Sequence, residues 1–302
     1  MRVVITGGSG LIGRALAAEL AGAGHEVGVT SRHPDGVRDL PAGVELAQWD
    51  TASAERLASL IDGVDAVVHL VGESLADGRW TEERKRRILE SRVRSTTAVA
   101  AALAAAGSRP GVLVQASGVG YYGARGEEEI TEASSAGEGF LADICRTWEE
   151  SGAAVEELGV RRVVVRTGIV LSTDGGALPK MALPFKLFAG GPVAGGRQWM
   201  SWIHLDDEVG AIRFLLEDPT AADVYNLTAP TPERNRDFSA ALGRALHRPS
   251  LAPVPGFALR LLYGEMSQLL THGQRVLPRR LLEAGYTFRH PAVREALEDL
   301  LG

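Results

Sequence analysis

Three glycines at three-residue spacing follow the first apolar run of the chain. Val3 to Ile5 reads as a buried strand, and Gly7, Gly10 and Gly13 come soon after it. In a strand–turn–helix unit the first such glycine permits a tight turn, the second lets the backbone approach a pyrophosphate, and the third lets the helix pack close to the sheet. The spacing therefore predicts a dinucleotide site.

The residues after the turn read as a helix. Leu11 and Ile12 open it, and Leu16 and Leu20 continue an apolar face at four-residue spacing. The free NH groups and the positive dipole end of a helix N-terminus favour phosphate. A lone three-glycine pattern is weak evidence, but here a strand precedes it and a helix follows, so the whole βαβ template is present.

The end of the second apolar run indicates which dinucleotide is bound. It reads Thr30-Ser31-Arg32, where NAD sites carry an acidic residue for the ribose hydroxyls. The Arg32 fork can instead bind a 2′-phosphate in a bidentate manner, with the Ser31 hydroxyl as a second donor. We therefore predict NADP as the cofactor. The alternative is that Arg32 only solvates a loop and that Asp35 contacts the ribose.

Further cofactor contacts are expected where the third and fourth strands end. Asp50 can accept a hydrogen bond from the adenine amino group, or it can form a turn with its own backbone. Leu70 and Val71 are expected to pass beneath the cofactor ribose by backbone contact, and Gly72 to permit the close approach.

The segment Thr81 to Arg94 is rich in arginine. Glu83 and Arg87 are four residues apart, as are other opposite charges here, which predicts a solvated, salt-paired helix face. Arg92 is the exception, because its apolar neighbours place this part of the helix near the sheet. We expect Arg92 to reach the cofactor pyrophosphate or an anionic substrate.

Composition narrows the class of protein. The 302 residues carry a formal net charge of -6, which argues against nucleic acid or an anionic membrane as the main partner. Cys145 is the single cysteine, and a strand that begins at Val3 leaves no room for a signal peptide. These features predict a cytoplasmic protein with a small-molecule substrate. The histidines are too dispersed to suggest a metal site.

Strand-like runs alternate with helical stretches along most of the chain, which predicts an α/β fold with a doubly wound parallel sheet. The runs are 3–6, 26–30, 44–48, 66–71, 112–116, 162–166 and 224–227. We predict a Rossmann domain over 1–228, with 171–200 contributing to a substrate lobe, and a small, mainly helical domain over 229–302. Helices are expected near 81–106, 237–247, 256–270 and 292–301.

Short motifs throughout the chain resemble one group of proteins, the atypical extended short-chain dehydrogenases/reductases (SDRs) of the epimerase/dehydratase type with a C-terminal domain of unknown function. The motifs are Trp80-Thr81, Ser91-Arg92, Gly120-Tyr121-Tyr122-Gly123, Gly139-Phe140-Leu141-Ala142, Trp148-Glu149, Pro184-Phe185, Gly190-Gly191, Trp202-Ile203-His204, Tyr225-Asn226-Leu227-Thr228-Ala229-Pro230 and Gly273-Gln274-Arg275-Val276-Leu277-Pro278. The resemblance implies NADP binding, with Ser31 and Arg32 at the phosphate, Arg92 on the cofactor and Val170 near the nicotinamide.

The usual SDR catalytic pattern is incomplete. SDR chemistry normally uses a tyrosine as general acid/base, a lysine four residues later and a serine on the fifth strand. The run 112–116 delivers Ser117, but the segment about 24 residues later, Phe140 to Arg146, contains neither tyrosine nor lysine. Tyr121 and Tyr122 are candidates for the proton carrier. Alternatively, one of them packs against a lid over the site and donates a hydrogen bond to a backbone carbonyl group.

Two functions of different classes remain open. The first is an NADP-dependent oxidoreductase or epimerase that acts on a small polar, nucleotide-linked substrate, with Ser117 holding the reacting oxygen. The second is a non-catalytic NADP(H)-sensing protein whose C-terminal lobe reports cofactor state to a partner. The oligomeric state, monomer or homodimer, is open as well.

Overall fold

The computed structural model describes residues 1–302, in which strands and helices alternate. The strands are β1 (Arg2–Thr6), β2 (Glu26–Ser31), β3 (Glu45–Gln48), β4 (Ala66–His69), β5 (Val112–Gly118), β6 (Glu129–Ile130), β7 (Arg161–Thr167), β8 (Ile169–Leu171), β9 (Trp199–Met200), β10 (Trp202–His204), β11 (Asp223–Leu227), β12 (Glu233–Arg234) and β13 (Arg275–Val276). The helices are α1 (Leu11–Gly22), α2 (Ala54–Ile61), α3 (Glu82–Ala105), α4 (Phe140–Glu150), α5 (Leu178–Lys186), α6 (Leu205–Glu217), α7 (Asn235–Ala245), α8 (Gly256–Tyr263), α9 (Gln268–Thr271), α10 (Arg279–Glu283) and α11 (Val293–Leu301).

Seven parallel strands form the central sheet in the order β11-β7-β5-β4-β1-β2-β3. Every predicted strand is one of these seven, so the doubly wound α/β fold is confirmed. The order reverses beside β1, and ligands of such sheets bind at this switch point, beyond the carboxyl ends of the strands. The glycine turn after β1 and the end of β4 meet there.

Helices cover both faces of the sheet, as parallel strands require. On one face α1 and α6 pack against the sheet, with Leu16 and Leu20 of α1 fully buried. On the other face α2 and α3 bury Leu57, Ile61 and Leu103. Each such side chain contributes about 1.5–3 kcal/mol when it is removed from water, and together they fix α1 and α3 beside the site.

A third core lies outside the sheet and joins the segments predicted to form the substrate lobe. It combines Trp202 and Phe185 from the first part of the chain with Phe238 and Leu297 from the C-terminal part. The domain boundary at 228 stays a prediction, and residues 171–202 pack with the helices that follow it.

The predicted helix over 256–270 is interrupted. α8 ends at Gly264, whose φ of +60° lies in the left-handed region that favours glycine. A 3₁₀ turn over 264–267 and the short α9 follow. None of the helices has both the length and the apolar composition that a bilayer crossing requires.

Candidate active site

The glycine turn after β1 has the geometry that the spacing predicts. Gly7 has a φ of +76°, and a Cβ atom there would lie 3.0 Å from the carbonyl carbon of Leu70. A Cβ atom on Gly13 would lie 2.5 Å from the Cα atom of Gly8. Because this clash is with backbone, no side-chain movement could relieve it. Gly7 and Gly13 therefore allow the turn, the helix and the end of β4 to pack together.

Gly10 is different, because the protein itself leaves room for a side chain there. A Cβ atom on Gly10 would contact only the Gly7 carbonyl oxygen, at 3.4 Å. Gly10 is also the N-cap of α1, where no side chain caps the helix and no acidic residue lies in the first turn. The backbone NH groups of the first helical residues, which include Leu11 and Ile12, are therefore available to bind an anion.

Arg92 lies on α3 beside the end of β4. Its guanidinium donates to the Ile88 carbonyl oxygen at 3.0 Å and lies 4.9 Å from the Trp148 ring. A Cβ atom on Gly72 would lie 3.1 Å from this guanidinium, so Gly72 makes room for Arg92. Burial lowers the pKa of Arg92, and no carboxylate pairs with it. A buried guanidinium without a carboxylate is matched to an anionic ligand.

The residues assigned to the adenosine end lie at the ends of β2 and β3. The Arg32 side chain is exposed, and the Ser31 hydroxyl accepts from the His33 NH group at 3.2 Å. The Asp50 carboxylate accepts from the NH groups of Ala52 and Ser53 at 2.9 and 2.8 Å. These bonds, Ser53 first, lower the Asp50 pKa. Asp50 therefore forms the turn that was the alternative to an adenine contact, and its adenine role stays a prediction.

Val170 lies on β8, next to a loop that folds over α1. A Cβ atom on Gly176 in this loop would lie 3.2 Å from the Leu11 side chain and 3.8 Å from the Val170 carbonyl oxygen. The fold thus brings Val170 close to the start of α1, although the two are far apart in the sequence.

Ser117 belongs to a buried polar network. Its hydroxyl donates to a Glu149 carboxylate oxygen at 2.6 Å. Arg166, which lies opposite Ser117 on β7, donates to both oxygens of Glu149 at 2.8 and 2.6 Å. Burial alone would lower the Arg166 pKa, but the bonds and charge of Glu149 and Tyr122 outweigh it and raise the pKa. A bidentate buried pair of this kind fixes the Ser117 hydroxyl in one orientation.

The two candidate tyrosines have different environments. Tyr122 is fully buried. Its hydroxyl donates to Asn226 Oδ1 at 2.7 Å and accepts from Arg166 at 3.0 Å. Burial raises the Tyr122 pKa to about 12. Tyr121 is only partly buried, and the Arg166 guanidinium lies 3.3 Å from the centre of its ring.

Helix α4, which spans the segment where an SDR tyrosine and lysine would be expected, presents apolar groups to the end of β5. A Cβ atom on Gly120 would lie 3.2 Å from Leu141 Cβ and 3.6 Å from the Cys145 sulfur. Burial raises the pKa of the Cys145 thiol to about 11. Leu141 has no ionisable group, and the Cys145 thiol stays protonated at neutral pH.

Four polar residues of this region are absent from the predicted site: Glu149, Arg166, Asn226 and Glu208. Arg166 could have been found as a charged residue directly after the apolar run 163–165 of β7. Glu208 is buried on α6 and accepts from the Thr167 hydroxyl at 2.7 Å, while its second oxygen has no partner. Burial raises the Glu208 pKa to about 8.

The histidines are less dispersed than the sequence indicates. His204 and His290 stack with their ring centres 3.9 Å apart, and His204 Nε2 lies 3.4 Å from Asp299. His204 Nδ1 accepts from the Asp206 NH group at 3.0 Å, so a neutral His204 carries its proton on Nε2. His204 is therefore the N-cap of α6. The cluster joins the C-terminal segment to the junction of β10 and α6.

Comparison with known proteins places the chain in a family. Residues 3–228 match the NAD dependent epimerase/dehydratase family, and residues 254–300 match a domain of unknown function, DUF1731. The epimerase family protein YfhF of Bacillus subtilis is 37% identical over 302 residues, covering 100% of this chain and 98% of that protein. The epimerase family protein Mb2239 of Mycobacterium bovis is 41% identical over 296 residues, with coverage of 98% and 96%.

Solved structures of related proteins share this fold. A crystal structure of human epimerase family protein SDR39U1 (isoform2) with NADPH superposes with a TM-score of 0.88 at 34% identity, covering 100% of this chain and 99% of that chain. UDP-N-acetylglucosamine 4-epimerase from Bacillus cereus, at 12% identity and a TM-score of 0.78, shares the fold. This chain is a member of the NAD dependent epimerase/dehydratase family, an atypical SDR that carries a C-terminal DUF1731 region.

Proposed function

We propose that this protein is an NADP(H)-binding oxidoreductase or epimerase that acts on a small polar, nucleotide-linked substrate. The observation that carries the proposal is the juxtaposition of two phosphate-binding features at the switch point of the sheet, the uncapped start of α1 and the buried Arg92, which no carboxylate pairs. Ser117 and its ionic network lie at the end of β5, two strands along the sheet from β1.

The residues present fit a nicotinamide dinucleotide. Gly10 and the first turn of α1 would hold the pyrophosphate together with Arg92, and the backbone at Leu70 and Val71 would lie under the ribose. When bound, the nicotinamide supplies reversible hydride transfer to or from a carbon atom of the substrate. The human relative whose structure has been solved with NADPH supports this assignment.

The phosphorylated form of the cofactor should be preferred. The Arg32 guanidinium is exposed and has no carboxylate partner, while the Ser31 hydroxyl keeps a proton to donate. We expect NADPH to bind at least about tenfold more tightly than NADH. Isothermal titration of the purified protein with each nucleotide measures this ratio. Equal or tighter binding of NADH would overturn the assignment of Arg32.

A matched pair of variants tests the residue itself. Arg32→Ala should weaken NADPH binding by about tenfold to a hundredfold and leave NADH binding unchanged, because a charge-assisted bond contributes about 1.5–3 kcal/mol. Arg86→Ala, which removes an exposed arginine from the outer face of α3, is the control and should change neither affinity.

The chain itself supplies the proton chemistry. The Ser117 hydroxyl donates its hydrogen bond to Glu149, so the lone pairs of Ser117 Oγ can accept a hydrogen bond from a substrate hydroxyl and orient it. Tyr122 holds its proton against Asn226 inside the protein and is poorly placed to exchange it. Tyr121, held over the Arg166 guanidinium and partly exposed, is the better candidate for the general acid/base.

Substitution of the tyrosines distinguishes these roles. Tyr121→Phe should lower turnover by about a hundredfold or more while NADPH affinity is retained, since one positioned proton donor contributes about 10²–10⁴ in rate. Tyr122→Phe should lower stability by about 1–3 kcal/mol, because Asn226 and Arg166 lose a buried partner. The assay is NADPH oxidation across a panel of carbonyl compounds and sugar nucleotides. Full activity in both variants and in the double variant would exclude a proton role for either tyrosine.

The apolar lining at Leu141 and Cys145 favours a second candidate, a non-catalytic NADP(H) sensor. A sensor would bind NADPH with the same preference and oxidise it with no substrate in the panel. Specific turnover above background would remove this candidate.

A further inference from the structure

Nearly all of the exposed large apolar side chains lie in two segments of the substrate lobe. Outside these segments only Met1 and Leu282 belong to this class. The members in the two segments are Leu183, Leu187, Phe188, Leu251, Phe257, Leu261, Leu262 and Tyr263. Contiguous exposed apolar surface of this kind marks an interaction site.

The two segments run side by side. The NH groups of Leu251 and Ala252 donate to the Gly190 carbonyl oxygen at 3.1 and 3.0 Å, and Val193 pairs with Val254. Helix α8 begins directly after this pairing, and Leu259 is its only buried residue. The helix therefore carries leucines and aromatic residues that no other part of the chain covers. We call residues 183–188 and 251–263 the apolar patch.

Within the two segments that carry the apolar patch, all charged side chains are positive. In a chain with more acidic than basic residues, neither 175–205 nor 238–264 contains an aspartate or a glutamate. The same two segments contain Lys180, Lys186, Arg197, Arg244, Arg248 and Arg260. Of these, Lys180 pairs with Asp77 from another segment. Local charge at this surface is thus opposite to the charge of the whole chain.

A pocket lined by basic side chains, which we call the basic basin, adjoins the apolar patch. It has a volume of about 590 Å³ and is lined by Arg244, His247 and Arg248 together with small residues of α7 and the following loop. The Arg248 guanidinium lies 4.7 Å from the centre of the Phe188 ring, and its Nε atom is buried without a partner. Groups that can bind a phosphate therefore lie next to side chains that can enter an apolar phase.

We propose that the apolar patch and the basic basin dock this protein on the surface of an anionic phospholipid bilayer. Exposed leucines and aromatic residues beside lysines and arginines are the features by which a helix lies in a membrane interface, and each cation near an anionic leaflet adds to the attraction. A second copy of this chain fits less well, because a two-fold interface would place the same cations against one another. The net charge of the chain predicts no such attraction, since it averages over the whole surface.

Vesicle flotation with the purified full chain tests the proposal. The protein should float with vesicles of equal parts phosphatidylcholine and phosphatidylglycerol, and not with phosphatidylcholine alone. Lys186→Glu combined with Arg260→Glu should reduce the bound-to-free ratio by at least about tenfold, as should Phe257→Ser combined with Leu261→Ser. All four side chains are exposed, so NADPH binding and circular dichroism should not change.

Matched controls and a mass measurement complete the test. Arg294→Glu and Leu282→Ser change an exposed arginine and an exposed leucine outside the patch and should leave flotation unchanged. Failure of the wild type to float, or equal flotation of the patch variants, would overturn the proposal. A dimer by light scattering that becomes a monomer in Phe257→Ser/Leu261→Ser, without flotation of the wild type, would instead assign the patch to self-association.

Discussion

Replacing Arg166 with methionine is expected to lower the free energy of unfolding by about 3–5 kcal/mol, because it leaves the Glu149 carboxylate buried without its counter-ion. The guanidinium donates to both oxygens of Glu149, and the two side chains are only 4% and 11% exposed. Denaturant unfolding followed by circular dichroism measures the loss. The substitution also removes the side chain that positions Glu149, the hydrogen-bond acceptor of Ser117, so turnover should fall together with stability.

Two comparisons separate the charge from the loss of packing. Arg166→Met combined with Glu149→Leu leaves no buried charge and should be more stable than Arg166→Met alone. Arg213 pairs with Glu19 and Glu217 near the surface, and Arg213→Met should cost no more than about 1 kcal/mol. Equal losses of unfolding free energy in Arg166→Met and Arg213→Met would show that the buried ion pair contributes no more to stability than an ion pair near the surface.

Glu208→Gln is expected to stabilise the protein at alkaline pH by roughly 3–5 kcal/mol. Burial among apolar residues raises the Glu208 pKa from 4.5 to about 8 in the folded protein. Below pH 4.5 the carboxyl is protonated in both states, and its favourable contribution is fully present. As the pH rises towards 8, the unfolded chain releases this proton more readily than the folded protein, so the contribution is lost.

The measurement is unfolding free energy against pH for the wild type and for Glu208→Gln. The two curves should meet near pH 4.5 and separate until about pH 8. Glu298→Gln, an exposed change on α11, should follow the wild type at every pH. Parallel curves for the wild type and Glu208→Gln would mean that Glu208 ionises normally inside the protein.

Local sequence determines much of this fold because its signals are short-range. Each strand of the sheet is an apolar run of a few residues, and the alternation with helices requires a parallel sheet covered on both faces. The glycine turn is equally local, since the steric needs of Gly7 and Gly13 arise from contacts with nearby backbone. The interruption at Gly264 was missed because the apolar pattern continues through it.

Residue patterns along the chain predict the doubly wound sheet, the position of the dinucleotide turn, the family resemblance and the absence of the usual tyrosine–lysine pair. Tertiary structure alone decided which polar groups meet. Glu149, Arg166 and Asn226 come from distant parts of the chain and join Ser117 and Tyr122 only because neighbouring strands and α4 converge at one sheet edge. Burial is likewise a property of the packed chain. The raised pKa values of Tyr122 and Glu208 therefore follow from packing.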